Sequence, residues 1–385
     1  MDSGGGLHAR EKAFAQEAFK EYYRRHLKAP PQIYAREFGF GFEKKIDFRH
    51  RAFETETALQ EFIQREAPLY MSYSAAYYRY PAAQPMQNKE FLGADLVFDL
   101  DAQTAHEAHN PVFCHECFEG VRKECIELVD EFLLHDFGFP AEELRVNFSG
   151  QKGFHIHVRS ERVRSLSAEA RRQLINYATA GGLNLAKILA RQKRASDSGR
   201  AVEVLRGPTE NSKGWAGKLY RAATGLIGRG DAEEMRAIGL TRPQMQKLAE
   251  NREAVLGKMR QGNWDYLRGM EKAWENLLQR TVKMHGVEVD RNVTYDLARL
   301  IRLPDSLHGD TGFIAKTMKM PELAVFDPTR DATAFDDRKP VRVTATEAVN
   351  FGFAGKTVDL KAHEQRTLPF NVAMLLVCKK KAALV

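Results

Sequence analysis

The sequence predicts an α/β (α+β) protein: a core of strands and helices, with a helical subdomain inserted. Three observations predict it. The hexapeptide LVFDLD (96–101) reads as a strand with one apolar face. VNFSGQKGFHIHV (146–158) reads as strand, glycine-containing turn and strand. Residues 165–283 then hold helical patterns, many charges and few β-branched runs.

In chain order, residues 9–28 form an amphipathic helix that ends in the basic, aromatic Tyr22-Tyr23-Arg24-Arg25. REFGFGF (36–42) and DFRHRAF (47–53) are strand-rich, residues 56–67 are helical, and GADLVFDLDA (93–102) is a strand. A loop with His and Cys runs from 103 to 117, and a helix follows over 118–136, where Val121, Cys125, Leu128, Val129 and Phe132 recur at its period. Pro140 stops that pattern. Within 165–283, residues 190–200 and 228–234 are expected as exposed loops. Strand character returns at VEVD (287–290), and a short helix over 293–301 precedes RLPDSLHGDTG (302–312). Residues 341–385 finish in short mixed elements and the run Lys379-Lys380-Lys381, expected as a solvated tail. The domain reading is a core over 1–164 and 284–345, a helical subdomain over 165–283, and a C-terminal segment over 346–385 packed on the core.

The chain has 385 residues, 43% hydrophobic and 28% charged, a globular composition. Lys and Arg number 58 against 51 Asp and Glu, a net charge of +7 that is compatible with a phosphate-rich partner without demanding one. No apolar run approaches the roughly 18 residues that a membrane span needs, and the first residues lack a secretory apolar stretch. These features lead us to expect a soluble, intracellular protein, cytoplasmic or nucleoid-associated, with no membrane partner. Four cysteines are too few for a disulfide scaffold, and the clustering of Cys114, Cys117 and Cys125 favours a metal site in a reducing compartment.

Side chains alternate along a strand, so Asp99 and Asp101 share one face while Leu96, Phe98 and Leu100 cover the other. Two carboxylates about 7 Å apart on one face repel unless a cation sits between them, and hard divalent ions such as Mg²⁺ or Mn²⁺ suit that arrangement. Two such ions serve phosphoryl displacement. A strand end with two solvated aspartates is the bland reading. In SGQKG (149–153), Gly150 and Gly153 expose backbone N–H groups, Ser149 adds a hydroxyl and Lys152 a point charge, a kit for phosphate oxygens. His155 and His157 share a face of the following strand. Further on, Asp290 is either a third metal-binding acid or a helix cap. Arg302 and His308 are within reach of phosphates or sugar, and Asp296 is expected to pair with Arg299 at i+3.

These pieces, in this order, resemble the small catalytic subunit of archaeal/eukaryotic-type DNA primases. The hhhDhD motif stands as Leu96-Val97-Phe98-Asp99-Leu100-Asp101, SGxxGxH as Ser149 to His155, and the third block as Asp290 with RLIRLPDSLHGDTG (299–312). YYRR and REFGF also match, the likeness spans about 20 to 320, and it implies a primase-type α/β core built on a mixed sheet, with a helical subdomain. The resemblance implies Asp99, Asp101 and Asp290 as catalytic, metal-binding acids, Ser149, Lys152 and His155 as triphosphate contacts, and Arg302, His308 and Arg36 as further nucleotide contacts. Gln151 departs from relatives with a second basic residue, and Asp305 and Asp310 add negative charge to the third block. The implied activity is template-dependent transfer of nucleotides from nucleoside triphosphates, making short RNA primers on single-stranded DNA for replication. The implied partner is a larger subunit carrying an iron–sulfur cluster, in a heterodimer.

His106, His109, Cys114 and Cys117 are spaced H-x2-H-x4-C-x2-C, a set able to close a tetrahedral structural zinc site. His115 and Cys125 are fallback ligands. Two alternatives stand beside the replicative reading. One is a primase-polymerase of the same superfamily acting in repair. The other is a non-catalytic zinc-containing nucleic-acid-binding protein, which has no reason to place Asp99 and Asp101 where phosphate must approach.

Overall fold

A computed structural model describes residues 8–102, 112–195, 201–335 and 338–385. It forms two compact units. The described residues of the first lie within Met1–Ile126, Phe139–Gln173 and Val289–Val385, and the second takes Glu127–Gly138 and Leu174–Glu288. Among the described residues no helix is long and apolar enough to cross a membrane.

Of the fifteen strands described in the first unit, eight form the two sheets around the site: β1 (Phe38–Gly41), β2 (Phe48–Arg51), β3 (Tyr70–Ser74), β4 (Leu96–Asp101), β5 (Leu144–Phe148), β6 (Gly153–Val158), β7 (Leu300–Arg302) and β8 (Thr317–Met318). They make two sheets, ordered β7-β3-β1-β2 and β8-β5-β6-β4. Every pairing within them is antiparallel. The α/β class holds, and in place of one mixed sheet the core uses two antiparallel ones, which short turns such as 149–153 are sufficient to connect.

Alternation along β4 separates two environments. Leu96, Phe98 and Leu100 sit opposite Val158, Ile156 and Phe154. That face is apolar: Phe154 lies 5.2 Å from Phe118 of the helix His115–Glu127, and Phe148 and Phe326 complete the aromatic layer. The other face carries Asp99 beside His155, and His155 beside Asn147. His157, on the same face, stacks on Tyr73 of β3 at 6.2 Å, so this polar face meets the first sheet. Helices Ala9–His26 and Glu56–Glu66 bury Phe19, Tyr23, Leu59 and Ile63 against Phe38, Phe40 and Met71 of that sheet. Thr55 caps the second helix by accepting from Ala58 N at 3.2 Å.

Several local expectations change. Residues 287–290 form no strand; they run extended into a helix shortened to Arg291–Tyr295, and 300–302 pair as β7. Asp296 caps that helix's end with its carboxylate on Ala298 N, while Arg299 turns to Asp290 rather than Asp296. The helix begun at His115 continues beyond Glu127 as a π-helical stretch, Leu128–Asp136.

The second unit packs helices Gly214–Arg229, Arg252–Arg260 and Glu271–His285 around Leu219, Met259, Trp264, Trp274 and Leu278. It is not purely helical: Ala190–Ala195 pairs with Ala201–Arg206 as a hairpin where the sequence suggested a loop. Its short helices are capped locally, Asp231 accepting from Glu233 N and Glu234 N at 2.9 and 3.0 Å. None of the expected site residues falls in it.

Candidate active site

Asp99 is one of several incompletely bonded groups of the polar face, with Asn147 and His157. Its Oδ1 is buried without a hydrogen-bond partner among the described residues, and His155 Nε2 lies 3.4 Å away, too long and poorly aligned to serve. Burial, followed by the charge of Asp290, pushes the Asp99 carboxyl up to about 6. Burial and then Asp99 raise Asp101 likewise. Asp290 is brought to the strand by its own backbone, whose N–H donates to Asp99 O at 2.8 Å. It fills both roles that the sequence left open: it caps Arg291–Tyr295 through Asn292 N at 2.9 Å, and its charge reaches Asp99. Arg299, 3.3 Å from Asp290 Oδ2, offsets part of the negative charge.

The turn 149–153 is held from within. Ser149 Oγ accepts from Gly153 N at 3.1 Å, which leaves its own hydrogen for another acceptor. Gly150 has φ +84°, and a Cβ there would stand 2.8 Å from His308 Cβ. Both conformation and space therefore demand glycine. Thr311 Oγ1 donates to Gly150 O at 2.5 Å and ties the turn to the loop 308–312. The half-buried Lys152 bears on both Asp99 and Asp101.

His308 is buried, and its Nδ1 accepts from Asp310 N at 3.1 Å, which fixes the hydrogen of the neutral ring on Nε2. Burial first, then Arg302, hold it well below the usual histidine range. His155 is pushed down to about 4 by burial, against the pull of Asp101. Both rings are neutral at physiological pH. Arg302, 8% exposed, has its guanidinium 5.4 Å from the Tyr70 ring and leaves Nη1 without a partner among the described residues. The site thus gathers two acids with a raised proton affinity, a third acid at their side, a glycine turn, two neutral histidines and an incompletely bonded arginine.

Arg36 does not join them. It is fully buried, donates to Ser74 O and Ala75 O at 2.8 Å each, pairs with Asp95 Oδ2 at 2.7 Å, and lies 3.6 Å from the Tyr77 ring centroid. Its guanidinium is spent inside the fold and is not presented to a nucleotide.

Lys45 was not anticipated. It is exposed on a turn whose N–H groups at Phe42 and Glu43 are gathered by Asp47 at 2.6 and 2.8 Å. Its charge acts on Asp99, Asp101, His155 and His308. Only the pairing of Gly41 with Tyr70, beside His308, brings that turn here, and no local pattern announces it.

Of the expected zinc set, His106 and His109 lie outside the described residues. Cys114 and Cys117 are joined as a disulfide, with Cα atoms 5.4 Å apart, and Cys117 N donates to Cys114 Sγ at 3.2 Å. His115 instead contacts Gly352 O at 3.1 Å, and Cys125 is buried in the helix's apolar stripe, so neither fallback faces the pair. Among the described residues no three His, Cys, Asp or Glu side chains are already drawn close enough to enclose an ion.

The chain matches the DNA primase small subunit family over residues 98–320. It is 35% identical to the DNA primase small subunit PriS of Methanocella arvoryzae, covering 96% of this chain and 98% of that protein. It is 33% identical to PriS of Methanothrix thermoacetophila (97% and 98% covered) and 32% identical to PriS of Methanococcoides burtonii (96% and 98% covered). The matched span contains the carboxylate strand, the glycine turn and the 299–312 block. By the length of that match and the near-complete coverage of these relatives, the chain belongs to the DNA primase small subunit family.

Proposed function

We propose that the chain is a template-dependent nucleotidyl transferase that makes short RNA primers on single-stranded DNA for replication. The observation that carries this reading is the buried, unpartnered Oδ1 of Asp99, on a carboxyl that burial and then Asp290 push up to about 6, an arrangement that suits a cation. The names of the relatives support it. Asp99, Asp101 and Asp290 would hold two Mg²⁺ or Mn²⁺ ions, their side chains drawing closer than they stand here, where the three do not yet enclose an ion; all-oxygen donors suit hard cations. When bound, such ions lower the affinity of an attacking hydroxyl for its proton and neutralise charge on the leaving oxygens.

The chain's own residues then bind and orient. Backbone N–H groups of the 149–153 turn, the Ser149 hydroxyl and Lys152 receive the triphosphate. Neutral His308 donates through Nε2 without repelling a metal. His155 borders the acids. Arg302 offers its unpartnered N–H to a phosphate oxygen. The reaction joins a primer 3′-hydroxyl, or that of the first nucleotide, to the α-phosphate of the incoming nucleotide, and pyrophosphate leaves.

The reading extends to a larger partner subunit carrying an iron–sulfur cluster, in keeping with the term "small subunit" in the relatives' names, and to an intracellular location. It also includes a structural zinc held by Cys114, Cys117, His106 and His109. The 5.4 Å Cα spacing and the N–H donated to Cys114 Sγ suit two thiolates on one ion, provided the disulfide is reduced. Elemental analysis of protein purified under reducing conditions should find one zinc per chain, and Cys114→Ala should lose it.

The deciding experiment is incorporation of labelled nucleotides on single-stranded DNA, with and without Mg²⁺ or Mn²⁺. Asp99→Ala and Asp101→Ala should each lose synthesis and stay folded. Retained synthesis in either removes that residue from the metal set, and binding of DNA without synthesis by the wild-type chain favours the non-catalytic alternative.

A further inference from the structure

The run Lys379-Lys380-Lys381 follows the helix Phe370–Cys378, and the fold sends its three side chains to different places. The helix is buried along nearly its whole length. It lies against the loop that carries His308: a Cβ on Gly312 would come 2.5 Å from Met374 Cγ. Lys381 turns to Glu347, Nζ to Oε1 at 2.6 Å. Lys380 is exposed, in the left-handed region at φ +59°. Lys379 closes the helix through its N–H to Leu375 O at 2.9 Å.

The Lys379 side chain is half-buried and makes no ion pair among the described residues. The charges that bear on it include Asp310, in the His308 loop, Lys152, in the glycine turn, and the neighbouring Lys381, itself paired with Glu347. Its own charge is felt by His308. Burial holds the ammonium below the usual lysine range; Asp310 opposes that shift and Lys152 adds to it. The Asp310 carboxylate is itself engaged by the Tyr70 hydroxyl. Two cations that feel each other in partial burial, with the Asp310 carboxylate already bonded to Tyr70, are unfavourable until an anion joins them.

We propose that Lys379 is a nucleotide-binding residue whose ammonium meets the terminal phosphates of the bound nucleoside triphosphate, opposite Lys152 and beside the loop 308–312. A lysine suits this place because its ammonium is a compact point charge on a flexible stem, able to follow phosphates of varying position. The proposal deepens the transferase reading and rests on it. The competing role, in which Lys379 only offsets the carbonyl dipoles at the helix end, affects stability and is blind to how many phosphates a ligand carries.

The test uses the full chain. Inorganic tripolyphosphate, a nucleoside triphosphate and a nucleoside monophosphate are titrated into wild type, Lys379→Met, Lys379→Arg and Lys380→Ala. Lys379→Met keeps the aliphatic stem and removes the charge. It should weaken tripolyphosphate and the triphosphate about tenfold, the scale of one lost charge-assisted contact, and leave the monophosphate nearly unchanged. Lys379→Arg should recover most of the affinity, and Lys380→Ala should match wild type. In primer synthesis, Lys379→Met should raise KM for the nucleotide with kcat little changed. Wild-type affinity for tripolyphosphate in Lys379→Met, equal weakening of all three ligands, or a fall in melting temperature alone overturns the proposal while the transferase reading stands. A wild-type chain that neither binds tripolyphosphate nor incorporates nucleotides overturns both.

Discussion

At the scale of single residues, Asp99 makes a prediction about stability that is independent of activity. Its carboxyl titrates near 6 in the fold, against about 3.9 for a free aspartate. The native state therefore favours the protonated form. Its penalty for the charged form is absent below about pH 4, grows between 4 and 6, and is complete above 6. Asp99→Asn removes that penalty and keeps the shape. In metal-free protein it should raise stability at pH 8 by about 1–3 kcal/mol, the energy of a shift of this size, and change it little at pH 4. Denaturant unfolding at the two pH values checks this; equal effects at both would mean that Asp99 is not held against its charge. The sequence revealed which residue to choose, because alternation in LVFDLD puts Asp99 and Asp101 on one face whatever the rest of the chain does. How strongly the charge is resisted was not legible, since that depends first on how deeply the fold buries Asp99 and then on Asp290 arriving from far along the chain, its N–H bonded to Asp99 O.

At the scale of elements, Arg36 links the lead-in to β1 with the end of β3 and the start of β4. Its guanidinium ties Ser74 O, Ala75 O and Asp95 together, with no exposed surface. Arg36→Ala would leave the Asp95 carboxylate buried beside Tyr77 with its closest cation removed and Arg159, 3.8 Å away, left to oppose its charge. The expected loss is about 3–5 kcal/mol of stability, the cost of breaking a buried pair from one side. At temperatures where the variant stays folded, KM for the nucleotide should hold; a raised KM in a fully folded Arg36→Ala would return Arg36 to the site. A motif records that an arginine is needed and not what it is needed for, so position in REFGF alone does not separate a phosphate ligand from a buried strut. The same limit explains residues 287–290. Their alternating pattern suits a strand, yet the chain bonds to β4 at Asp290 N and turns into a helix there. Lys45 is the reverse case: EKK at 43–45 reads as solvated charge, and only the antiparallel register of β1 on β3 brings it to the acids.

For the whole molecule, the first unit brings Asp290, at a helix start far along the chain, beside the acids of β4, and the fold accepts their repulsion. Metal binding should then appear as stability, because a ligand that binds only the native state adds free energy to it. Titrating Mn²⁺ or Mg²⁺ into wild type at pH 8 should raise the melting temperature progressively; at a hundredfold excess over Kd the gain is about 2.7 kcal/mol. Asp99→Asn, more stable without metal, should gain little from it, so that the wild-type advantage grows with cation concentration while the variant stays level. The contrast separates a metal site from general screening of the +7 chain, since a monovalent salt of matched ionic strength acts on both proteins alike. Equal stabilisation of wild type and Asp99→Asn by Mn²⁺ would mean that the ions settle elsewhere, and the acids of β4 would have to be explained without them.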